Sequence, residues 1–141
     1  MTISAADAAL IEQSLELAAE REGDLTGRVY ALLFARDPAT EAQFVRDTDG
    51  AIKGEMLARV LDAVLDFISE RRYAPVLIQC EVITHDGYDV PPRLFMSFFG
   101  IVAEAVAGAC GATWTPAMGA AWRRLLDDID ACAAQSAPTA A

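Results

Sequence analysis

The residue best suited to do chemistry is His85, the only histidine in the chain. It falls near the end of a predicted helix, Pro75–Asp86. One histidine, with cysteines scattered along the chain, cannot build a metal site from side chains alone, because such a site needs three or four protein ligands. A single imidazole is enough, however, where a porphyrin supplies the other ligands. A lone histidine is more often a surface residue or a satisfied core residue, so both interpretations stay open at this point.

Two other groups of reactive residue types do not point to a site. The cysteines are widely spaced, form no C-x-x-C motif and have no basic neighbour that marks a reactive thiolate, so we expect three reduced thiols in a cytoplasmic protein. An acidic group near the end of the last helix has no cleft motif beside it, which indicates a solvated helix face. These two groups are Cys80, Cys110 and Cys132, and Asp127, Asp128 and Asp130.

The composition describes the domain that must position His85. The chain has 141 residues, of which 54% are hydrophobic, and its formal net charge is −10. That length suits one domain, predicted over residues 1–135, and the apolar content argues against a disordered chain. The acidic balance argues against nucleic acid or an anionic membrane as a partner, since both attract clustered Lys and Arg. No signal peptide or membrane-spanning run is predicted, and residues 136–141 are expected to be a disordered tail.

The apolar residues repeat with a helical period along the whole chain. The clearest stripe falls in a helix predicted from about Asp49 to Arg72, and it consists of Leu57, Val60, Leu61, Val64 and Ile68. Prolines mark helix starts near residues 38, 75, 92 and 116, and the first and last of them follow the capping residues Asp37 and Thr115. No segment alternates with period 2 for long. The pattern predicts an all-α protein with six or seven helices.

Three segments carry a more specific pattern, in order along the chain. Residues 33–44 read LFARDPATEAQF, residues 85–92 read HDGYDVPP, and residues 111–122 read GATWTPAMGAAW. Together they resemble the globins, specifically the bacterial single-domain globins and the haem domain of flavohaemoglobins. The first resembles the end of the family's B helix and its C helix, the second its proximal histidine and FG corner, and the third the start of its H helix. The resemblance implies a three-over-three helical sandwich that holds haem b.

The resemblance also implies roles for particular residues. His85 becomes the iron ligand, its other ring N–H donating to a backbone carbonyl of its own helix. Phe44 is expected to stack on the porphyrin, while the remaining pocket residues line the site or lie behind it. Plain core packing is the alternative for all of these apolar residues, and it is compatible with a haem pocket. The remaining pocket residues are Leu57, Val90, Phe95, Phe98 and Val102.

Tyr30 and Lys53 fall at the positions from which globins contact the gas ligand. The hydroxyl of Tyr30 is expected to donate a hydrogen bond to bound O₂, the alternative being a core tyrosine bonded to a backbone carbonyl. Lys53 stands where the family usually has His or Gln, and it has three candidate roles: iron ligand, charged donor to the gas, or partner of a haem propionate. We favour the propionate, because a neutral lysine at pH 7 costs about 4.6 kcal/mol before any bond forms.

Other positions depart from the flavohaemoglobin pattern. That pattern places a Lys just before the proximal histidine and a Tyr in helix G, linked to a Glu, where this chain has Thr84 and Phe95. A carboxylate acting on the iron ligand is therefore in question. Glu81 is a candidate replacement one turn before His85, although a carboxylate leaning towards solvent is the favoured interpretation. Asp89 replaces the usual Gly at the corner, and Asp tolerates that turn conformation.

The resulting hypothesis is a cytoplasmic haem b globin that binds O₂, and also NO or CO, reversibly. NO dioxygenation is the enzymatic version; it needs a separate reductase, since no flavin or nicotinamide domain is expected after the last helix. Binding is favoured over turnover because of Thr84 and Phe95. The alternative of another class is a haem-free globin-fold regulatory or interaction module, which Lys53, Glu81 and Asp89 favour. The oligomeric state and the redox partner cannot be read from the sequence.

Overall fold

The computed structural model describes residues 3–135, and the expected tail at 136–141 lies outside them. Within these residues the chain forms seven α-helices, two 3₁₀ turns and no strand, which confirms the all-α prediction. The 3₁₀ turns are Ala42–Phe44 and Gly111–Thr113. The helices are α1 Ala5–Glu22, α2 Thr26–Arg36, α3 Pro38–Glu41, α4 Ala51–Phe67, α5 Ala74–Gly87, α6 Pro92–Cys110 and α7 Pro116–Ala134.

The helix starts follow from local chemistry. At the first turn of α7 the hydroxyl of Thr115 accepts a hydrogen bond from the N–H of Met118 at 3.1 Å, and Pro116 occupies the first helical position. The Asp24 carboxylate accepts from the N–H of Thr26 at 2.9 Å, just before α2. These contacts satisfy backbone donors that have no partner within the helix. Helices also begin at Pro38, Ala74 and Pro92, so the helix starts predicted from prolines are confirmed, although Asp37 makes no side-chain cap bond.

The end of α4 corrects the sequence analysis. The helix was expected to reach Arg72, but it ends at Phe67. The Asp66 carboxylate accepts three backbone N–H bonds at 2.8–3.0 Å, from Arg72, Tyr73 and Ala74. Arg71 takes a left-handed backbone conformation with φ of 52°. The side chain of Asp66 thus stabilises a chain reversal in residues whose apolar pattern suggested more helix.

The helix contacts sort the six long helices into two layers, as in a three-over-three sandwich. One layer contains α1, α4 and α5, and the other contains α2, α6 and α7. Helix α1 crosses α6 and α7, α4 faces α2, and α5 packs on α6 and α7. The buried side chains of these helices form one continuous core. Loops between neighbouring helices are short, so the core and the cavity described below share their walls.

Helix α6 is the central element of this core. It packs against α1, α2, α5 and α7. It is also the one helix of residues 3–135 that is long and apolar enough to cross a membrane by length and composition, over Pro92–Thr113. The expectation that every apolar run is too short was therefore too strict by those criteria. Because its apolar face packs against four other helices, the position of α6 is that of a core helix.

Candidate functional site

The structure has an apolar cavity bounded by α2, the α3 turn, α4, α5 and α6. Its volume is about 350 Å³, which lies within the usual range for small-molecule sites. Most of its wall is aromatic and aliphatic, with a few polar side chains. Those polar or charged residues are Tyr30, Thr40, Gln43, Glu55, Arg59, Glu81 and His85. An apolar cavity with so few polar groups suits a large, flat, mostly apolar ligand.

His85 enters this cavity from the last turn of α5. Its Nδ1 lies 2.9 Å from the backbone oxygen of Glu81. A carbonyl oxygen only accepts, so Nδ1 must carry the ring proton, and in a neutral imidazole Nε2 then presents a lone pair. Within residues 3–135, Nε2 has no hydrogen-bond partner. The ring is therefore held in the tautomer that a metal ligand requires.

The corner after α5 fixes the angle of this ring. The N–H of Val90 donates to the carbonyl of His85 at 2.9 Å, and Asp89 has a left-handed φ of 65°. The conformation that normally favours Gly is thus taken by Asp, as expected from the sequence. On the cavity side, the Phe95 ring packs on the imidazole with centroids 4.6 Å apart. Phe95 therefore packs against the ring instead of supplying a hydroxyl to it.

Tyr30 presents the one unusual polar atom of the cavity. The residue is 3% exposed, and its hydroxyl is the only buried side-chain polar atom of residues 3–135 that has no hydrogen-bond partner. The alternative of a bond to a backbone carbonyl is therefore not what the structure shows. Burial, and then the negative charge of Asp47, raise the pKa of Tyr30 well above its ordinary value. The hydroxyl consequently stays protonated and available as a donor.

An aromatic cluster holds Tyr30 in place. Its ring packs against Phe34, Phe44 and Phe98 at centroid distances of 5.9, 5.4 and 5.6 Å. These are ordinary distances for tilted and edge-to-face aromatic pairs. Because three rings contact it, the phenol cannot easily rotate to find another partner. The position of its hydroxyl is thus fixed by packing before any ligand arrives.

The face that α4 turns to the cavity differs from the expected one. Ile52, Met56 and Val60 line the cavity, whereas Leu57 lines a separate pocket against α1. Lys53 is not among the cavity residues either. Adjacent positions on a helix are rotated by about 100° from each other, so an assignment one residue out faces a different neighbour. In this structure Ile52 and Met56 border the cavity, and contact of Lys53 or Leu57 with a bound ligand stays a prediction.

Lys53 instead pairs with Asp47 in the loop before α4. Its Nζ lies 3.0 Å from Asp47 Oδ2 and 5.7 Å from the centroid of the Phe44 ring. The same carboxylate accepts the N–H bonds of Ile52 and Lys53 at 2.9 and 3.0 Å. Burial raises the pKa of Asp47, but these hydrogen bonds and the Lys53 charge outweigh it and lower the pKa below its ordinary value. The ammonium is therefore engaged by a protein carboxylate.

The structure brings most of the sequence-predicted site residues to one cavity. Lys53, Leu57 and Val102 do not line it; Val102 is fully buried in the core behind it. The sequence analysis missed Ile52 and Met56, although the spacing of Ile52, Met56 and Val60 is itself a helical stripe. The predicted residues that do line the cavity are Tyr30, Phe44, His85, Val90, Phe95 and Phe98.

Comparison with known proteins bears on the family. Neither the curated proteins nor the solved structures compared with this chain gave a match. The model of the globin family matches residues 27–132, which is most of the chain. The matched segment runs from the start of α2 into the last turns of α7 and includes both Tyr30 and His85. This chain belongs to the globin family.

Proposed function

We propose that this globin binds haem b in the cavity, with His85 as its protein ligand to iron, and that its reversible ligand is O₂. Globins generally bind diatomic gases through haem. One observation supports the proposal above the others: an imidazole with a free Nε2 and a buried hydroxyl without a partner line the same apolar cavity. A buried unsatisfied hydroxyl costs stability, so its retention calls for an explanation from function.

The residues that line the cavity are of types that can hold a haem group. Phe44, Phe98 and Met56 offer apolar contacts to a porphyrin face. At the rim, Arg59 lies 3.3 Å from Glu55, and both side chains are largely exposed. An exposed pair of this kind contributes little stability, so the guanidinium can exchange Glu55 for a propionate carboxylate at small cost. Arg59 thereby replaces Lys53 as the proposed propionate partner.

When bound, haem iron supplies an open coordination position for a diatomic gas. The chain's contribution is the donor placed there: the Tyr30 hydroxyl, oriented by its aromatic neighbours. A hydrogen bond to a group with negative charge contributes about 1.5–3 kcal/mol. That range corresponds to about 10- to 150-fold slower loss of O₂. NO and CO fit the same cavity but gain less from the donor, because they carry less negative charge.

The finer assignments are also proposals. The three sequence segments favour a relationship to bacterial single-domain globins, and the free cysteines favour a cytoplasmic location.

We propose reversible binding, and thus O₂ storage or transport, in preference to NO dioxygenation. Phe95 has no hydroxyl with which to connect His85 to a more distant carboxylate. Mixing the O₂-loaded protein with NO and a reductase tests this choice, since sustained turnover would contradict it.

The test of haem binding is a titration of hemin into purified protein, followed by absorption spectroscopy. We expect a Soret band that saturates at one haem per chain, and reversible spectral changes with O₂ and CO after reduction. Protein that stays colourless after haem is offered would support the haem-free regulatory module instead. Of the three residues that favoured that module, Lys53 and Glu81 contact Asp47 and His85 within the protein, and Asp89 takes the left-handed conformation of the corner.

A further inference from the structure

We propose that Glu81 is a positioning residue for His85, whose carboxylate strengthens the imidazole as an iron ligand. The inference rests on the proposed function, because it concerns the bond between His85 and haem iron. It assigns to a residue of α5 itself, one turn before the ligand, a role for which the sequence favoured only solvent exposure. The carboxylate acts through the imidazole and needs no contact with the gas.

The geometry around Nδ1 carries the proposal. Glu81 Oε2 lies 3.3 Å from His85 Nδ1, and the backbone oxygen of Glu81 lies 2.9 Å from the same atom. The Nδ1–H donates to the backbone oxygen, and the carboxylate is a second, charged group of the same residue close to that N–H. Side chains four apart on a helix are neighbours on its surface, so the i, i+4 spacing places the carboxylate there without distortion of the backbone. Glu81 also lines the cavity instead of leaving it.

The two oxygen groups have different effects on the ring. The carbonyl accepts the Nδ1–H bond and fixes the tautomer, whereas the carboxylate places a negative charge beside that N–H. A negative charge at this distance polarises the ring, so electron density at Nε2 rises and Nε2 becomes a stronger donor to iron. The Glu81 side chain is 34% exposed and that of His85 is 24% exposed. Partial shielding from water preserves much of this electrostatic effect.

The consequences appear in the iron–histidine bond and in the redox potential. A more basic axial ligand shortens and stiffens the bond, which raises its stretching frequency. It also stabilises ferric over ferrous iron, which lowers the midpoint potential. A residue that merely packs beside the ring changes neither property when it is replaced by an uncharged residue of the same shape. These two observables therefore separate an electrostatic role from a structural one.

The experiment uses the haem-loaded full chain and three variants. Glu81→Gln keeps the shape and removes the charge, and Glu81→Ala removes both. Asp86→Asn is the matched control, since it removes a charge from the exposed residue next to His85 in the same helix. Resonance Raman spectra of the ferrous form give the iron–histidine stretch, and redox titration gives the potential.

We expect the stretch to shift to lower wavenumber, and the midpoint potential to rise, in both Glu81 variants and not in Asp86→Asn. A stretch at the wild-type wavenumber in Glu81→Gln would overturn the proposal, whether or not Glu81→Ala differs. Equal shifts in Glu81→Gln and Asp86→Asn would also overturn it, since any nearby charge would then suffice. Failure of the proposed function is recognised separately, because the wild type would then show no Soret band.

Discussion

Replacement of Tyr30 by Phe should have opposite effects on the haem-free and the haem-loaded protein. In the haem-free chain the hydroxyl is buried without a partner, and such a group costs about 1–3 kcal/mol. Phe keeps the ring that packs against Phe34, Phe44 and Phe98 and removes only the oxygen. We therefore expect Tyr30→Phe to raise the free energy of unfolding of the haem-free protein by about 1–3 kcal/mol.

In the haem-loaded protein the same change removes the proposed donor to O₂. The loss of about 1.5–3 kcal/mol should speed O₂ dissociation about 10- to 150-fold. CO dissociation should change less, because CO accepts a weaker hydrogen bond. Urea unfolding of the haem-free protein and stopped-flow replacement of O₂ by CO measure the two effects separately.

Tyr73→Phe is the matched control for this experiment. Tyr73 is 45% exposed, so the loss of its hydroxyl should leave both measurements near the wild-type values. Two results would refute the reasoning about Tyr30. One is an O₂ dissociation rate in Tyr30→Phe that equals the wild-type rate. The other is a haem-free variant less stable than the wild type, which would mean that the hydroxyl has a partner after all.

Three further changes test other parts of the structure. In the haem-loaded protein, Met56→His should give a low-spin ferric spectrum, because a second imidazole then reaches the iron, whereas Lys53→His should leave the ferric spectrum high-spin. The opposite result would show that Lys53 and not Met56 is the α4 residue that faces the iron. Asp47→Asn should be less stable than the wild type at pH 7. The urea midpoints of the two proteins should converge as the pH falls through 3.8 and below. The reason is that a carboxylate whose pKa is lowered by folding stabilises the protein only while it is ionised, above that pH range. Asp66→Ala should lower the free energy of unfolding by about 2 kcal/mol, the upper end for one helix cap. The control Asp62→Ala, on an exposed turn of the same helix, should lower it little. Equal losses in the two variants would contradict the capping role of Asp66.

The helix order was predictable because its signals are local. Thr115 followed by Pro116 fixes the start of α7 within a few residues of chain. The end of α4 was not predictable in the same way. The Asp66 carboxylate bonds to N–H groups six to eight residues later, and the residues in between, SERR at 69–72, contain no Gly or Pro that would mark the end of a helix. A side chain that accepts hydrogen bonds from backbone groups so far along the chain has no recognisable sequence pattern.

The site was predictable where a residue type is decisive. His85 is the only imidazole in the chain, and it lies in the cavity with Nδ1 bonded as expected. The distal face was less predictable, because two apolar stripes run along α4, one residue apart. The stripe that contains Leu57 is the longer one in the sequence, yet Leu57 and Leu61 line the pocket against α1 and only Val60 of that stripe borders the cavity. Only packing decides which stripe borders a cavity.

Lys53 illustrates a different limit. From its position in the sequence we expected Lys53 to pair with a haem propionate, the iron and the gas being the alternatives. Its partner, Asp47, is the buried residue that also accepts the first N–H bonds of α4. The pairing depends on the path of the loop between α3 and α4, which has no strong sequence signal. The sequence analysis therefore did not foresee the ion pair between Lys53 and Asp47.

The most direct test of the central claim is chemical rescue of the proposed iron ligand. His85→Gly should fold, as judged by circular dichroism, but bind hemin weakly and without the wild-type ferrous spectrum. Added imidazole should then restore a Soret band and a ferrous spectrum close to those of the wild type, since its nitrogen can occupy the position of Nε2. A His85→Gly variant that binds hemin with wild-type affinity and spectrum in the absence of imidazole would contradict the account.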